Sequence, residues 1–385
     1  MSDADRNLTS PEVAADPRAA YDAMRERCPV ARDGAGAWTL FRHADVVRAA
    51  LDPDTFSSRA SRHLNVPNGM DGAEHARWRV VVGRHLGAES VARLEPRFRE
   101  LAADLAGSLP RDHAIDAVSE LGARYAVRAQ STWLGWPADL EDTLLEWVDD
   151  NREATRSREP TRTAEVAERF DAIIRSLIDA RRTAGTDATD DVTAQLLREE
   201  IDGRPLTDEE IVSILRNWTA GDLGSIAACL GVVVHHLAVD RDLQDHWRSA
   251  RPDRAELEAG IDEILRIDDP FVSNRRVATA DVEIGGRTIG AGERVVLNWT
   301  AANRDPAVIG DPDAYRPAEN APHNLVYGIG PHACPGRALA TLELRVAIEE
   351  LLAAASAIEL APGPDPVREA PPGGGYRTVP VLLAD

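Results

Sequence analysis

The chain has 385 residues, 43% of them hydrophobic, enough for a substantial core, and a formal net charge of −21 at pH 7. A field this acidic argues against binding nucleic acid or an anionic membrane surface through overall charge. The three cysteines, Cys28, Cys229 and Cys334, are odd in number and far apart, which argues against a disulfide framework, a zinc ribbon or a covalently attached c-type haem.

Residues 1–17 are polar and acidic, without the apolar stretch of a signal peptide. Helical patterning then covers 17–27, 43–52 and 74–107, the last with a break near Gly87. A strand is expected at 37–41. Further helices follow at 116–135, 138–156, 162–184 and 190–199. Thr207-Asp-Glu-Glu210 has capping-box spacing and opens a long central helix over 207–238. Its longest apolar run, 226–238, is shorter than the roughly 20 residues a membrane span needs, and it carries His235 and His236. Helices at 240–250 and 254–267 come next. A hairpin turns around Gly285-Gly286 within 282–289, and a strand follows at 294–298. A Pro- and Asp-rich meander over 304–326 leads to a helix at 337–355 and a strand at 376–382. Many helices with strands at the two ends predict a mainly α, α+β chain rather than alternating βαβ units.

The meander ends in Tyr327-Gly-Ile-Gly-Pro-His-Ala-Cys-Pro-Gly336, directly before a helical pattern. Glycines let backbone turn tightly and approach a flat ligand. The following helix N-terminus points its positive end toward Cys334, which favours a thiolate. Glu263-Ile-Leu-Arg266 places an acid and a base on one helix face, about seventy residues earlier. His75 and Arg79, four apart, share a face able to grip a carboxylate.

Together these motifs resemble the cytochrome P450 family, nearly end to end. The decapeptide is similar to its cysteine loop, Phe-Gly-x-Gly-x-His-x-Cys-x-Gly, with Tyr327 in place of Phe. The Glu263/Arg266 pair looks like its ExxR motif, and His75/Arg79 its propionate-binding helix. The resemblance implies one P450 domain over 1–385, with haem b between the cysteine loop and the central helix. Cys334 would ligate the iron. His75, Arg79, Arg276 and His332 would meet the propionates, with Tyr327, Gly328, Gly336 and Ala220 also against the haem. It further implies dioxygen as co-substrate, a ferredoxin and ferredoxin reductase as electron source, no membrane anchor and a cytoplasmic location. Arg84, Arg337 and Arg345 would be possible ferredoxin contacts.

The distal motif departs from the family form Ala/Gly-Gly-x-Asp/Glu-Thr. Aligned on Ala220-Gly221, Leu223 stands at the acid and Gly224 at the threonine, with Asp222 and Ser225 each one residue off. One residue is about 100° of helix rotation. Three readings stay open: water or a substrate group completes the proton relay; a local bulge turns Ser225 inward; or the chemistry is not ordinary hydroxylation. The last includes oxidative cross-linking of aromatic groups in a peptide natural product. Arg216, Thr219, Ala220 and Gly224 share one helix face, expected to meet the substrate with Val272. Arg216 on that face would hold a substrate carboxylate or polar backbone, or form an internal ion pair. Asn217 and Trp218 are expected to pack on neighbouring helices instead. With a polar 60–72 loop, this suggests a small, polar organic or peptide substrate.

Overall fold

The computed structural model describes residues 10–385 apart from 11, 12, 14 and 187; the opening polar stretch lies mostly outside the described residues. Helices observed at Pro17–Arg27, His43–Leu51, Pro160–Ala184, Arg241–Ala250, Arg254–Ile267 and Arg337–Ala354 match the expected spans to within a few residues. The expected 74–107 helix is three pieces, Gly72–His85, Ala88–Ala92 and Glu95–Ser108. The expected 116–135 helix begins as a wide π turn over Ala117–Ala123 and becomes regular over Arg124–Leu134.

The central helix, Asp208–Val239, is opened by the capping box: Thr207 accepts from the Glu210 N–H, and Glu210 accepts from the Thr207 N–H. By length and composition alone this helix could cross a membrane, but it is the core helix here, with Leu215, Leu223, Leu230 and Val233 fully buried. Small residues set its rotation. A Cβ on Gly122 would lie 2.9 Å from the Ala227 Cα, and one on Gly231 would lie 2.6 Å from Val118 Cγ2. The π turn therefore seats directly on the Leu223, Ala227 and Gly231 face of the central helix, and the opposite face is left to line a cavity.

The strands form small sheets to one side. Five are ordered Val30–Arg32, Trp38–Leu40, Arg294–Asn298, Ser273–Ala278 and Phe56–Ser57. Trp38–Leu40 and Arg294–Asn298 run parallel; the other neighbours are antiparallel. Ser273–Ala278, which reads Ser-Asn-Arg-Arg-Val-Ala, was not expected as a strand; pairing on both sides overrides its weak local preference. The expected 376–382 strand is two. Tyr376–Thr378 pairs with Val367–Arg368, while Pro380–Ala384 joins Ala357–Leu360 and Ile115–Asp116.

Candidate active site

The cysteine loop is held by its own backbone. The Cys334 N–H donates to the Tyr327 carbonyl at 2.8 Å. Gly328 and Gly330 have φ of +67° and +76°, a region that suits glycine. A Cβ on Gly330 would also come 2.8 Å from the Leu51 side chain, so the loop lies tight on the helix His43–Leu51. Tyr327 is half-buried, and its hydroxyl meets the Thr341 hydroxyl at 3.2 Å on the cysteine helix Arg337–Ala354. That contact supplies the partner which the extra oxygen needs.

Beneath the loop, Arg266 is fully buried and donates to both Glu263 oxygens at 2.8 and 2.9 Å. It also donates to the carbonyls of Asn303, Pro312 and Ala314. Glu263 in turn accepts from the Arg316 N–H and from Asn320. The pair thus pins the meander that delivers Cys334.

Cys334 is exposed on the wall of a cavity of about 500 Å³. Burial pushes its thiol pKa up, and the Gly336 N–H, Arg79 and Arg337 pull it back only in part. The backbone N–H at the start of the helix lowers it in the expected direction, and desolvation outweighs that effect.

At one edge of the cavity, basic side chains crowd together. The His75 and His332 rings lie 4.0 Å apart. Arg79 donates to the Ala333 carbonyl at 2.9 Å, and the buried Arg276 donates to the Arg275 carbonyl. Burial, followed by the neighbouring His75 and Arg276, lowers the His332 pKa to about 4. Burial also lowers His75, with Arg79 adding to it. Asp71 is the nearby acid. Burial pushes its pKa up, but hydrogen bonds from Ser57 and Ser58 prevail and hold it below the usual value. Ser58 also meets His332 at 3.0 Å. A cluster of two guanidinium groups and two imidazoles, with His75 and Arg276 buried and one acid already engaged, suits the carboxylates of a flat ligand whose iron would lie above Cys334. The residues present fit a haem.

The distal wall corrects the sequence alignment. Asn217, Trp218, Gly221, Asp222, Ser225, Ile226 and Cys229 line the cavity. Arg216, Thr219, Ala220 and Gly224 are not among its lining residues; they lie on the opposite side of the helix. No bulge is needed to bring Ser225 inward, because Asp208–Val239 is regular throughout and its seat on Gly122 sets the rotation. Thr219 is buried, and its hydroxyl is spent on the Leu215 carbonyl at 2.6 Å. Arg216 grips Asp171 of the helix Pro160–Ala184 with two bonds of 2.8 and 2.7 Å and donates to the Leu64 carbonyl. It is an internal ion pair and not a substrate anchor. Ser213 and Asn217 likewise bind the backbone of Leu64 and Val66, so this polar stripe holds the 60–72 loop over the cavity. Val272, Phe271 and Asn274 line the wall as expected.

One of the three expected docking contacts changes. Arg345 is buried among Glu95, Glu258 and Glu349, so it is not a docking contact. Arg84 is exposed but bound to Glu199, while Arg337 is exposed beside Asp262. Glu343 on the cysteine helix was missed. It lies within hydrogen-bonding reach of Asp222, fully buried. An acid on the apolar face between Leu339 and Val346 was the available signal.

Residues 159–357 match the family model described as Cytochrome P450. Cyclomarin C epoxidase CymV of Salinispora arenicola is 30% identical, covering 92% of this chain and 93% of that protein. The erythromycin C-12 hydroxylase of Saccharopolyspora erythraea is 31% identical over 86% of this chain and 85% of its own length. Among solved structures, cytochrome P450 CYP109Q5 from Chondromyces apiculatus superposes with a TM-score of 0.86 at 25% identity, covering 99% of this chain and 98% of that one. The open form of EryK from S. erythraea gives 0.86 at 28% identity and 95% of both chains. Matched over half its length by the family model and over most of it by such relatives, the chain belongs to the cytochrome P450 family and is a haem-thiolate monooxygenase.

Proposed function

We propose that this chain, as one domain over 1–385, binds haem b and inserts oxygen from dioxygen into a small natural-product-like substrate. The observation that carries this is the placement of Cys334 and Ser225 on the walls of one cavity. Cys334 is the iron ligand. When bound, the haem supplies oxygen activation, which a thiolate ligand favours by pushing electron density into the iron. His75, Arg79, Arg276 and His332 hold the propionates, and Gly328, Gly336 and Tyr327 shape the loop. Ser225 is the distal alcohol that orients a proton donor in the cavity. Pro67, Phe271, Val272 and Pro270 give the substrate an apolar bed, with Asn68 and Ser273 as polar points along the wall. Engagement of Arg216 by Asp171 removes the ground for an acidic substrate.

Electrons come from a ferredoxin and its reductase, in the cytoplasm. The relatives named as an epoxidase and a hydroxylase support oxygen insertion over aromatic cross-linking. So does Ser225, because a missing distal alcohol was one of the two grounds for the cross-linking reading, the other being the polar 60–72 loop. The test is reconstitution with a ferredoxin system and mass spectrometry of the product. Gain of an oxygen atom supports the proposal; loss of hydrogen without oxygen gain favours cross-linking. A carbon monoxide difference spectrum lacking the thiolate signature would exclude both.

A further inference from the structure

The 60–72 loop roofs the cavity, and three side chains of the central helix hold it there. Ser213 donates to the Leu64 carbonyl at 3.1 Å and accepts from the Val66 N–H at 2.9 Å. Arg216 donates to the same Leu64 carbonyl, while Asp171 engages its other nitrogen. Asn217 donates from Nδ2 to the Val66 carbonyl at 2.8 Å. Of the three, Asn217 is the one whose side chain also lines the cavity.

The bond to Val66 fixes which way the Asn217 carboxamide points. A carbonyl can only accept, so the nitrogen must face Val66 and the oxygen is turned away from it. That oxygen takes no hydrogen bond from the described residues, which leaves an acceptor without a donor on the cavity wall. Asn274 is oriented the opposite way. The Trp299 indole can only donate, and it does so to the Asn274 oxygen at 2.6 Å, leaving N–H groups. Asn274 lies two residues before Arg276 on one face of the strand Ser273–Ala278, at the edge that suits ring carboxylates. Asn217 stands elsewhere, under the loop and two helical turns from Ser225, about 12 Å along the axis. Asn68, two residues beyond Val66, lines the same wall, and none of the described residues engages its carboxamide.

We propose that Asn217 sets the specificity of this cavity by accepting a hydrogen bond from a neutral amide N–H of the substrate, with Asn68 donating to the same amide's carbonyl. This rests on the substrate-oxidising function proposed above. The apolar remainder of the substrate lies on Pro270, Phe271 and Val272 and reaches toward Ser225. A molecule of the same shape without the N–H displaces water from the Asn217 oxygen and gives that oxygen nothing in return, so it binds more weakly. Specificity here is the difference between those two affinities.

Soret titration of the haem-loaded protein with decanamide and with N,N-dimethyldecanamide tests this, because the two share a chain and a carbonyl and the first alone carries N–H groups. The wild type should bind decanamide about tenfold more tightly, the effect of one hydrogen bond to an otherwise unpaired acceptor. Asn217→Leu, close to asparagine in size, should abolish that preference by weakening decanamide. Ser213→Ala loosens the same loop but keeps the Asn217 oxygen, so the preference should remain. Equal affinities in the wild type, a preference that survives Asn217→Leu, a preference lost in Ser213→Ala, or no binding of either amide overturns the proposal. Failure of the enzyme reading shows separately, as absence of the thiolate signature with carbon monoxide.

Discussion

Replacing Arg266 by leucine removes the brace beneath the cysteine loop. The wild-type guanidinium is completely buried and bonds both oxygens of Glu263 and three backbone carbonyls, those of Asn303, Pro312 and Ala314. Leaving a buried carboxylate without its cation costs about 3–5 kcal/mol. Each abandoned buried carbonyl adds about 1 kcal/mol or more. The Arg316 N–H and Asn320 still reach Glu263, but two neutral donors do not replace a bidentate cation. The expected loss is at least about 5 kcal/mol, a large share of the roughly 5–15 kcal/mol that stabilises a typical domain. Urea unfolding of the haem-loaded protein measures it, with haem retention followed by absorbance. Arg266→Lys, which keeps a charge but cannot fork across both oxygens, should fall between wild type and leucine. Glu263→Leu/Arg266→Leu should recover part of the loss, since no lone carboxylate remains. A loss below about 1 kcal/mol for Arg266→Leu, or a double variant no better than the single, would refute the brace.

Ser225→Ala should lower product formation while raising peroxide release, measured by product against peroxide yield; Gly224→Ala, on the far side of the helix, should change neither. Arg216→Leu should leave substrate affinity, read from Soret titration, unchanged and cost about 1 kcal/mol in urea, because its pair with Asp171 is partly exposed. Tyr327→Phe should keep the thiolate signature and cost about 1 kcal/mol through the lost Thr341 contact. The raised Asp222 pKa favours the protonated folded state, so its contribution is complete below the ordinary carboxylate value of 3.8 and is lost as pH rises through about 7. Thermal unfolding should show that decline across neutral pH in the wild type and a flatter profile in Asp222→Asn.

The residues that make the proximal side are legible in the chain because their geometry is local. Tyr327 to Gly336 is one short loop whose glycines dictate its path, and Glu263 with Arg266, like His75 with Arg79, needs only helical spacing to share a face. Helix positions were legible for a similar reason: the capping box at Thr207 marks where the central helix begins whatever surrounds it. The rotation of that helix was not legible. It is apolar nearly all round, so periodicity names no unique face, and matching Ala220-Gly221 to the family pattern chose the wrong one. The close approach of Gly122 to Ala227 and of Val118 to Gly231, residues more than a hundred positions apart, decided it. This contact puts Leu223 in the core and Ser225 on the cavity. Arg216 shows the same division: its charge and helix position could be read, but its partner Asp171 lies on another helix. The pairing of Asp222 with Glu343 likewise exists only once the central helix packs on the cysteine helix. Chemistry carried by one segment was thus written in the sequence, whereas every contact joining two helices waited for tertiary packing, since spacing along one helix carries no information about the surface it will meet.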